Sequence, residues 1–352
     1  MQVHPRHPDL ESAVIRIPLT RTRLARASIA VAALAFVGLL AEPAHAQAPA
    51  ADFPQRAVTL IVPFPPGGPS DALARGFAQQ MGKRLGQAVI VENLAGAGGT
   101  IGLAKVVRSA PDGYTLGFGT IGTHVANVAL YKKLPYDPIA DFQPVGLAGS
   151  APMLLLGKAN LPANNLRDFV AWLGTNKDSA SYGSAGVGSI SHYGCVLLLA
   201  SLKVNVTHVP YKGVAPAMND LMGGQTDFMC DQTTTALPQV AGSKIKALAV
   251  LSSSRLPQLP NVATASEAGY ALNVQAWNAI FAPRGTPAPV MARLTAALTA
   301  SAADPDFRRQ MQGVGVDLPS GAGAAPDVVT GLITRGLRDD VPALKAKVDT
   351  LD

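Results

Sequence analysis

Short apolar runs alternate with helix-period stripes along most of this chain. Val58–Val62 is a five-residue apolar run, which predicts a buried strand. Pro63-Phe64-Pro65-Pro66-Gly67-Gly68 follows as a loop stiffened by its prolines. Leu73, Phe77, Met81 and Leu85 then recur at four-residue steps, with Ala74 and Ala78 beside them. That stripe predicts a helix starting at Ser70, placed as its cap, and ending at Gly86. The same alternation gives a strand over 88–91, a glycine-rich loop over 93–99 and a helix over 100–109. Pro111-Asp112-Gly113 is a turn, and a strand over 114–118 ends in a Gly/Thr loop at 119–124.

Further on, an apolar run over 145–156, interrupted by Gly149 and Pro152, predicts one long strand that leaves a first lobe and enters a second. A helix over Leu166–Asn176 follows, then a strand over 180–183 that feeds a Ser/Gly loop at 184–189. Next come a helix over 191–202, a strand over 207–209, a loop at 210–213 and a helix over 216–222. Strands over 227–230 and 245–251 precede a second long crossing at 273–281, and helices near Pro289 and Pro326 complete the pattern. Strands alternating with helices predict an α/β protein with parallel sheets. Two crossings predict two lobes, 51–148 with 275–352 and 149–274, joined by a hinge. Ligands in such sheets bind at the carboxyl ends of strands, so the loops of both lobes should face one cleft.

The first 46 residues read differently. Arginines stand at 6, 16, 21, 23 and 26, an apolar stretch covers 27–40, and Ala44-His45-Ala46 is an A-x-A cleavage site. This is the pattern of a secretory signal peptide, so the remainder is expected in the periplasm. The leader's five arginines against Asp9, Glu11 and Glu42 account for +2 of the formal charge of +6, leaving about +4. No basic run interleaved with aromatics is present, so the charge does not point to nucleic acid. Cys195 and Cys230, the two cysteines of the chain, fall in apolar runs and read first as buried free thiols, with a single bridge left open.

Catalytic patterns are weak. Gly117-Phe118-Gly119-Thr120-Ile121-Gly122 matches the dinucleotide fingerprint and Asp141 follows at the right distance, but the stretch before Tyr136-Asp137-Pro138 is short for a crossover helix. Ser189 and His192 mimic a Ser–His pair on a helix start. No orienting carboxylate can be named for them, and a capping serine beside a helix-face histidine is the plainer reading. The six histidines have no metal spacing, and neither a cofactor nor a metal is expected. What remains is three donor-rich loops, at 67–70, 120–123 and 184–189. Their N–H groups, with the hydroxyls of Thr120, Thr123, Ser184 and Ser189, suit a carboxylate.

Several ordered motifs carry a family resemblance. PFPPGGPSD at 63–71, PDGYTL at 111–116, GTIGTH at 119–124 and LPYDPIADFQPV at 134–145 resemble the Bug proteins, also called the tripartite tricarboxylate transporter substrate-binding (TctC) family. So do YGSAGVGSISH at 182–192, HVPYKG at 208–213, LPNVATASEAGY at 259–270 and FAPRGTP at 281–287. The resemblance implies a two-lobed, type II-like periplasmic binding protein fold: two parallel-core sheets with helices on both faces and two crossover segments forming a hinge. It implies a receptor without catalysis for a di- or tricarboxylate, an acidic amino acid or a related organic acid. It also implies, as partner, tripartite tricarboxylate transporter membrane subunits or a two-component sensor, and a monomer. Carried over residue by residue, it puts Phe64, Gly67, Gly68 and Ser70 on one jaw and Thr120 and Thr123 near the floor. Ser184, Ala185, Gly186 and Ser189 stand on the other jaw; Tyr211 and Asp231 line the cleft, and Trp277 lies on the returning crossing. The chain departs from the family where Cys230-Asp231-Gln232 stands in place of an aromatic, Asp and Asn, and at Asn278, where an apolar or small residue is usual.

Overall fold

The computed structural model describes residues 53–346; the expected leader lies outside them. The elements are β1 (Val58–Val62), α1 (Pro69–Leu85), β2 (Val89–Asn93), α2 (Thr100–Val107) and β3 (Thr115–Thr120). A π-helical turn, Gly122–Ala126, runs into the short α3 (Asn127–Leu130). Then come β4 (Phe142–Lys158), α4 (Leu166–Asn176), β5 (Ser181–Ser184), α5 (Ile190–Leu202), β6 (Thr207–Pro210) and α6 (Val214–Met222). The chain continues with β7 (Phe228–Gln232), α7 (Thr233–Ala241), β8 (Ile245–Val250) and β9 (Gln275–Pro283). It finishes with α8 (Ala288–Ala302), α9 (Pro305–Gly313) and α10 (Pro326–Lys345).

The 17-residue β4 is the spine of the fold. Its first part, up to Pro152, pairs antiparallel with β9. From Met153 onward it lies between β7 and β8. The two expected sheets are therefore two halves of one curled sheet. One half runs β2-β1-β3-β9-β4, with β1 parallel to both β2 and β3. The other runs β8-β4-β7-β5-β6, with β5 parallel to β6 and β7.

Strand patterning explains the layers. Val58, Leu60 and Val62 share one face of β1 and pack with Leu73, Phe77 and Met81 of α1. Ile61 points the other way, into a cluster with Leu103 and Val106 of α2. A strand buried on both faces reads as a continuous apolar run, which is why this one is so plain in the sequence. In the other half, Leu154 and Leu156 of β4 meet Met218 and Leu221 of α6, while Met153 and Leu155 face the cluster containing α5. At the rim of the sheet β2 is an edge, and its Ile90 is half exposed.

Three expectations are corrected. The cap of α1 is Gly68 with Pro69 in the first turn, so Ser70 already lies inside the helix, and its hydroxyl donates to Asn278 Oδ1 at 3.3 Å. Cys195 and Cys230 are not free thiols: they form a disulfide between α5 and β7, with Cα atoms 5.3 Å apart, well within the reach of a bridge. Helices α7 and α9 had no counterpart in the sequence reading, because α7 begins with three threonines and contains Pro238, and α9 buries only Phe307 and Met311.

Candidate ligand-binding site

The loops at the carboxyl ends of β1, β5, β6 and β7 meet between the two halves of the sheet. On the first side, Asp71 ties the 64–68 loop down. Its carboxylate accepts from Gly67 N–H at 3.0 Å, Arg75 Nε at 2.9 Å and Asn93 Nδ2 at 2.8 Å. Asn93 Nδ2 also donates to Phe64 O at 3.0 Å. Burial alone would raise the Asp71 carboxyl, but these bonds outweigh it and hold it below the usual carboxylate range. Gly67 N–H is thus turned inward, onto Asp71.

The facing loop is fixed from behind in the same way. Ala185 N–H donates to Ser191 Oγ at 2.8 Å and Gly186 N–H to Ser184 Oγ at 3.1 Å. Ser184 Oγ is also 2.7 Å from His208 Nε2. Gly188 N–H approaches His192 Nδ1 at 3.4 Å, and the two imidazoles stack with centroids 4.4 Å apart. Burial lowers both rings, His192 to about 3, helped by its neighbour, and His208 to about 4. Both are neutral at ordinary pH and serve as supports for the loop.

Within the first side Asn127 Nδ2 donates to Gly98 O at 3.0 Å, and both residues stand against the 187–188 backbone of the other side. A Cβ placed on Gly188 would stand 2.3 Å from Asn127 Oδ1, one on Gly122 2.6 Å from Gly188 O, and one on Gly98 2.9 Å from Val187 O. Gly213 likewise faces the ring of Pro65. Glycine is what lets the jaws approach this far.

Between the jaws is a small cavity of about 30 Å³, beside a larger vestibule of about 410 Å³ with which it shares Phe64, Pro65, Ala185, Ser189 and Gly213. Four helices begin on the cavity wall. Their N-caps are Gly68 for α1, Ser189 for α5, Gly213 for α6 and Gln232 for α7, and all four line it. First-turn N–H groups have no acceptor within their helix, and each such end carries roughly half a positive charge. Ser70, Ser189 and Ser191 add hydroxyls; no Lys, Arg or His lines this cavity. Asp231 is its one carboxylate, 1% exposed, with Oδ2 accepting from Thr235 Oγ1. Burial pushes the Asp231 carboxyl up to about 7, against the bonds from Thr235 and Gln232 N–H.

Of the residues anticipated for the site, Phe64, Gly68, Ser70, Ala185, Ser189 and Asp231 line the cavity. Gly186 and Tyr211 line the vestibule, where Tyr211 Oη donates to Asp220 at 2.6 Å. Gly67, Thr120, Thr123, Ser184 and Trp277 line neither. Thr123 Oγ1 donates to Thr120 O, and Thr120 N–H donates to Thr123 Oγ1, inside the turn after β3. Trp277 is buried beside His124. Ser191, Gly213, Val214 and Gln232 line the cavity without having been singled out. Their signal was a helix beginning straight after a strand-end loop.

The two enzymatic alternatives do not fit. Ser189 Oγ donates to Gly186 O at 2.6 Å and accepts from His192 N–H as a cap, so it is not paired with the imidazole ring. The space beside Gly119 is filled by His124 and Phe281, leaving no approach for a pyrophosphate, and Asp141 closes its own turn onto Asp137 N–H. Among the described residues no cluster of three or more His, Cys, Asp or Glu could hold a metal.

A family model described as "Tripartite tricarboxylate transporter family receptor" matches residues 73–324. This chain belongs to that family. MatC from Rhodopseudomonas palustris, solved with bound malate, is 41% identical with a TM-score of 0.80; the match covers 83% of this chain and 100% of that one. Another R. palustris protein, solved with adipate, is 30% identical with a TM-score of 0.79, covering 84% and 99%. A protein encoded in the TAR-I ttuE-ttuC' intergenic region of Agrobacterium vitis is 43% identical over 254 residues, 72% of this chain and 73% of that protein. Membership in this receptor family, with the two-lobed fold of periplasmic binding proteins, accounts for a cleft rich in main-chain donors. No helix among the described residues is long and apolar enough to cross a membrane.

Proposed function

We propose that this receptor binds a small di- or tricarboxylate, or a related organic acid, in the periplasm. It closes on the acid and presents it to the membrane subunits of a tripartite tricarboxylate transporter. The observation that carries this reading is the convergence of four helix N-termini on one cavity without cationic side chains. Such ends favour an anion by their partial charge and by their unpaired N–H groups. The adjoining vestibule, about 410 Å³, leaves room beside these helix starts for the body of a small acid, and malate and adipate are the ligands seen in two relatives. In this reading the lobes 51–148 with 275–352 and 149–274 move as bodies about β4 and β9, as hinged binding proteins do. A two-component sensor is the alternative reader of the closed form.

A thermal-shift screen against mono-, di- and tricarboxylates and amino acids tests this. A ligand at a hundred times its dissociation constant adds about 2.7 kcal/mol. For a folded chain of roughly 300 residues that raises the melting temperature by about 4 °C. A clear shift with a neutral solute, and none with any carboxylate, refutes the reading.

A further inference from the structure

Asp231 is out of keeping with a cavity built for anions. It stands on the wall, 1% exposed, beside the start of α7, and no cation lines the cavity to balance it. On its own face of β7 packs α6, whose Asp220 accepts from Tyr211 Oη, and just before that helix Lys212 lines the vestibule rather than the cavity. From α5 come His192 and Tyr193, the ring of the former neutral through burial and the hydroxyl of the latter donating to Asp340. From β5 and β6 come Tyr182 and His208, stacked on one another. At the start of α1, Asp71 is spent on Arg75, Asn93 and Gly67. Helix α7 carries no charged residue, and the charged residue of β4, Lys158, is at the far end of the strand, paired with Asp227. Within the cavity the positive partners available to a charged Asp231 are therefore the helix N-termini, the same groups that a ligand carboxylate would use.

We propose that the receptor takes up one proton together with a doubly charged carboxylate, Asp231 yielding its place as resident anion and becoming the acid that donates to the ligand's second carboxylate. This rests on the carboxylate-receptor reading. Two carboxylates in contact within one small site do not both stay ionised; one takes a proton and bridges to the other. The balance is simple: the carboxylate of Asp231, one solvent proton and the dianion give a complex holding a carboxylic acid and a dianion. A ligand ammonium is a poor alternative occupant. It would bring a positive charge among four positive helix ends and needs acceptors for three N–H donors. The empty site's titration near 7 places the exchange in an accessible range.

Calorimetric titration with malate, in pairs of buffers of different ionisation enthalpy, reads the protons directly. At pH 8 close to one proton should enter per malate bound; at pH 6, where Asp231 already carries it, almost none. Affinity should fall up to tenfold per pH unit above the titration and stay level below it. Whatever affinity Asp231→Asn retains for malate should be flat with pH, with no proton taken up on binding. Its melting curve, compared with that of the parent, shows whether the variant is folded. The proton count on the unaltered protein needs no variant at all. Malate binding with no proton uptake at pH 8 overturns this proposal and leaves the receptor reading standing. Absence of binding by malate, adipate and every other di- or tricarboxylate or related organic acid at any pH overturns both.

Discussion

Gly188 and Gly86 have almost the same backbone, with φ of +81° and +76°, yet different surroundings. A Cβ on Gly86, the C-cap of α1, meets nothing within 4 Å, whereas one on Gly188 stands 2.3 Å from Asn127 Oδ1 on the opposite jaw. Alanine at either position pays the left-handed penalty, about 1–2 kcal/mol, in every state of the fold. Only Gly188→Ala adds a cost confined to the closed state. Asn127 must swing away and give up its 3.0 Å bond to Gly98 O, about 1 kcal/mol, and the overpacked contact adds about 1–3 kcal/mol. The closed form is thus penalised by about 2–4 kcal/mol, which weakens ligand affinity by about 30-fold to about 1,000-fold. Calorimetry on both variants reads the affinity, melting temperature reads the common cost, and small-angle scattering with ligand reads closure. Gly86→Ala should lose stability alone. Asn127→Ala combined with Gly188→Ala should recover part of the affinity, since the colliding oxygen is gone. Equal melting losses with unchanged affinity in both variants would refute the idea that these glycines set how far the jaws close.

Two further outcomes follow from the interior. Replacing Cys195 and Cys230 by alanine opens a loop with a sequence separation of 35, which on the chain-entropy account costs about 4 kcal/mol. A melting temperature equal to the parent's would show that the bridge is not formed. The second concerns acid. His124, His192 and His208 are held neutral by burial, at about 3, about 3 and about 4, while an unfolded histidine titrates near 6.5. Between about pH 6.5 and 4 the unfolded chain binds more protons, so stability falls as pH falls, by up to about 1.4 kcal/mol per unit for each ring. Asp231, raised in the fold, has the opposite slope between about 4 and 7, which leaves a net loss on acidification. A melting temperature that is level or rises from pH 6.5 to pH 5 contradicts this.

How much of this was legible depended on whether the cause was local. The bounds of β1 and α4 follow from their own apolar period, and the long β4 follows from a run too long for one small sheet. The Gly86 cap of α1 needed only the glycine after the stripe. By contrast, α7 has neither stripe nor cap signal, and its existence depends on packing against β4 and β8. Gly67 reads as a donor to ligand because nothing in PPGGPSD reveals that Asp71 folds back to accept its N–H hydrogen bond. Thr120 and Thr123 were read as floor hydroxyls, but a π-turn lets them satisfy each other. The cysteines were read as separate because the bridge joins a helix to a strand that only the finished sheet brings together. The largest feature of the site, four helix starts on one wall, is a product of topology: three of the starts are partly visible in the sequence, while that of α7 and the convergence are not.

That convergence has an evolutionary side. A grip made of peptide N–H groups would outlast most side-chain exchanges that leave the jaws free to meet, because every residue except proline supplies the same donor. On the proposed function, drift at Phe64, Ser191, Val214, Asp231 or Gln232 would reshape the rest of the cavity while those donors remain. A lineage built this way can trade one acid for another in few steps without passing through a form that binds nothing.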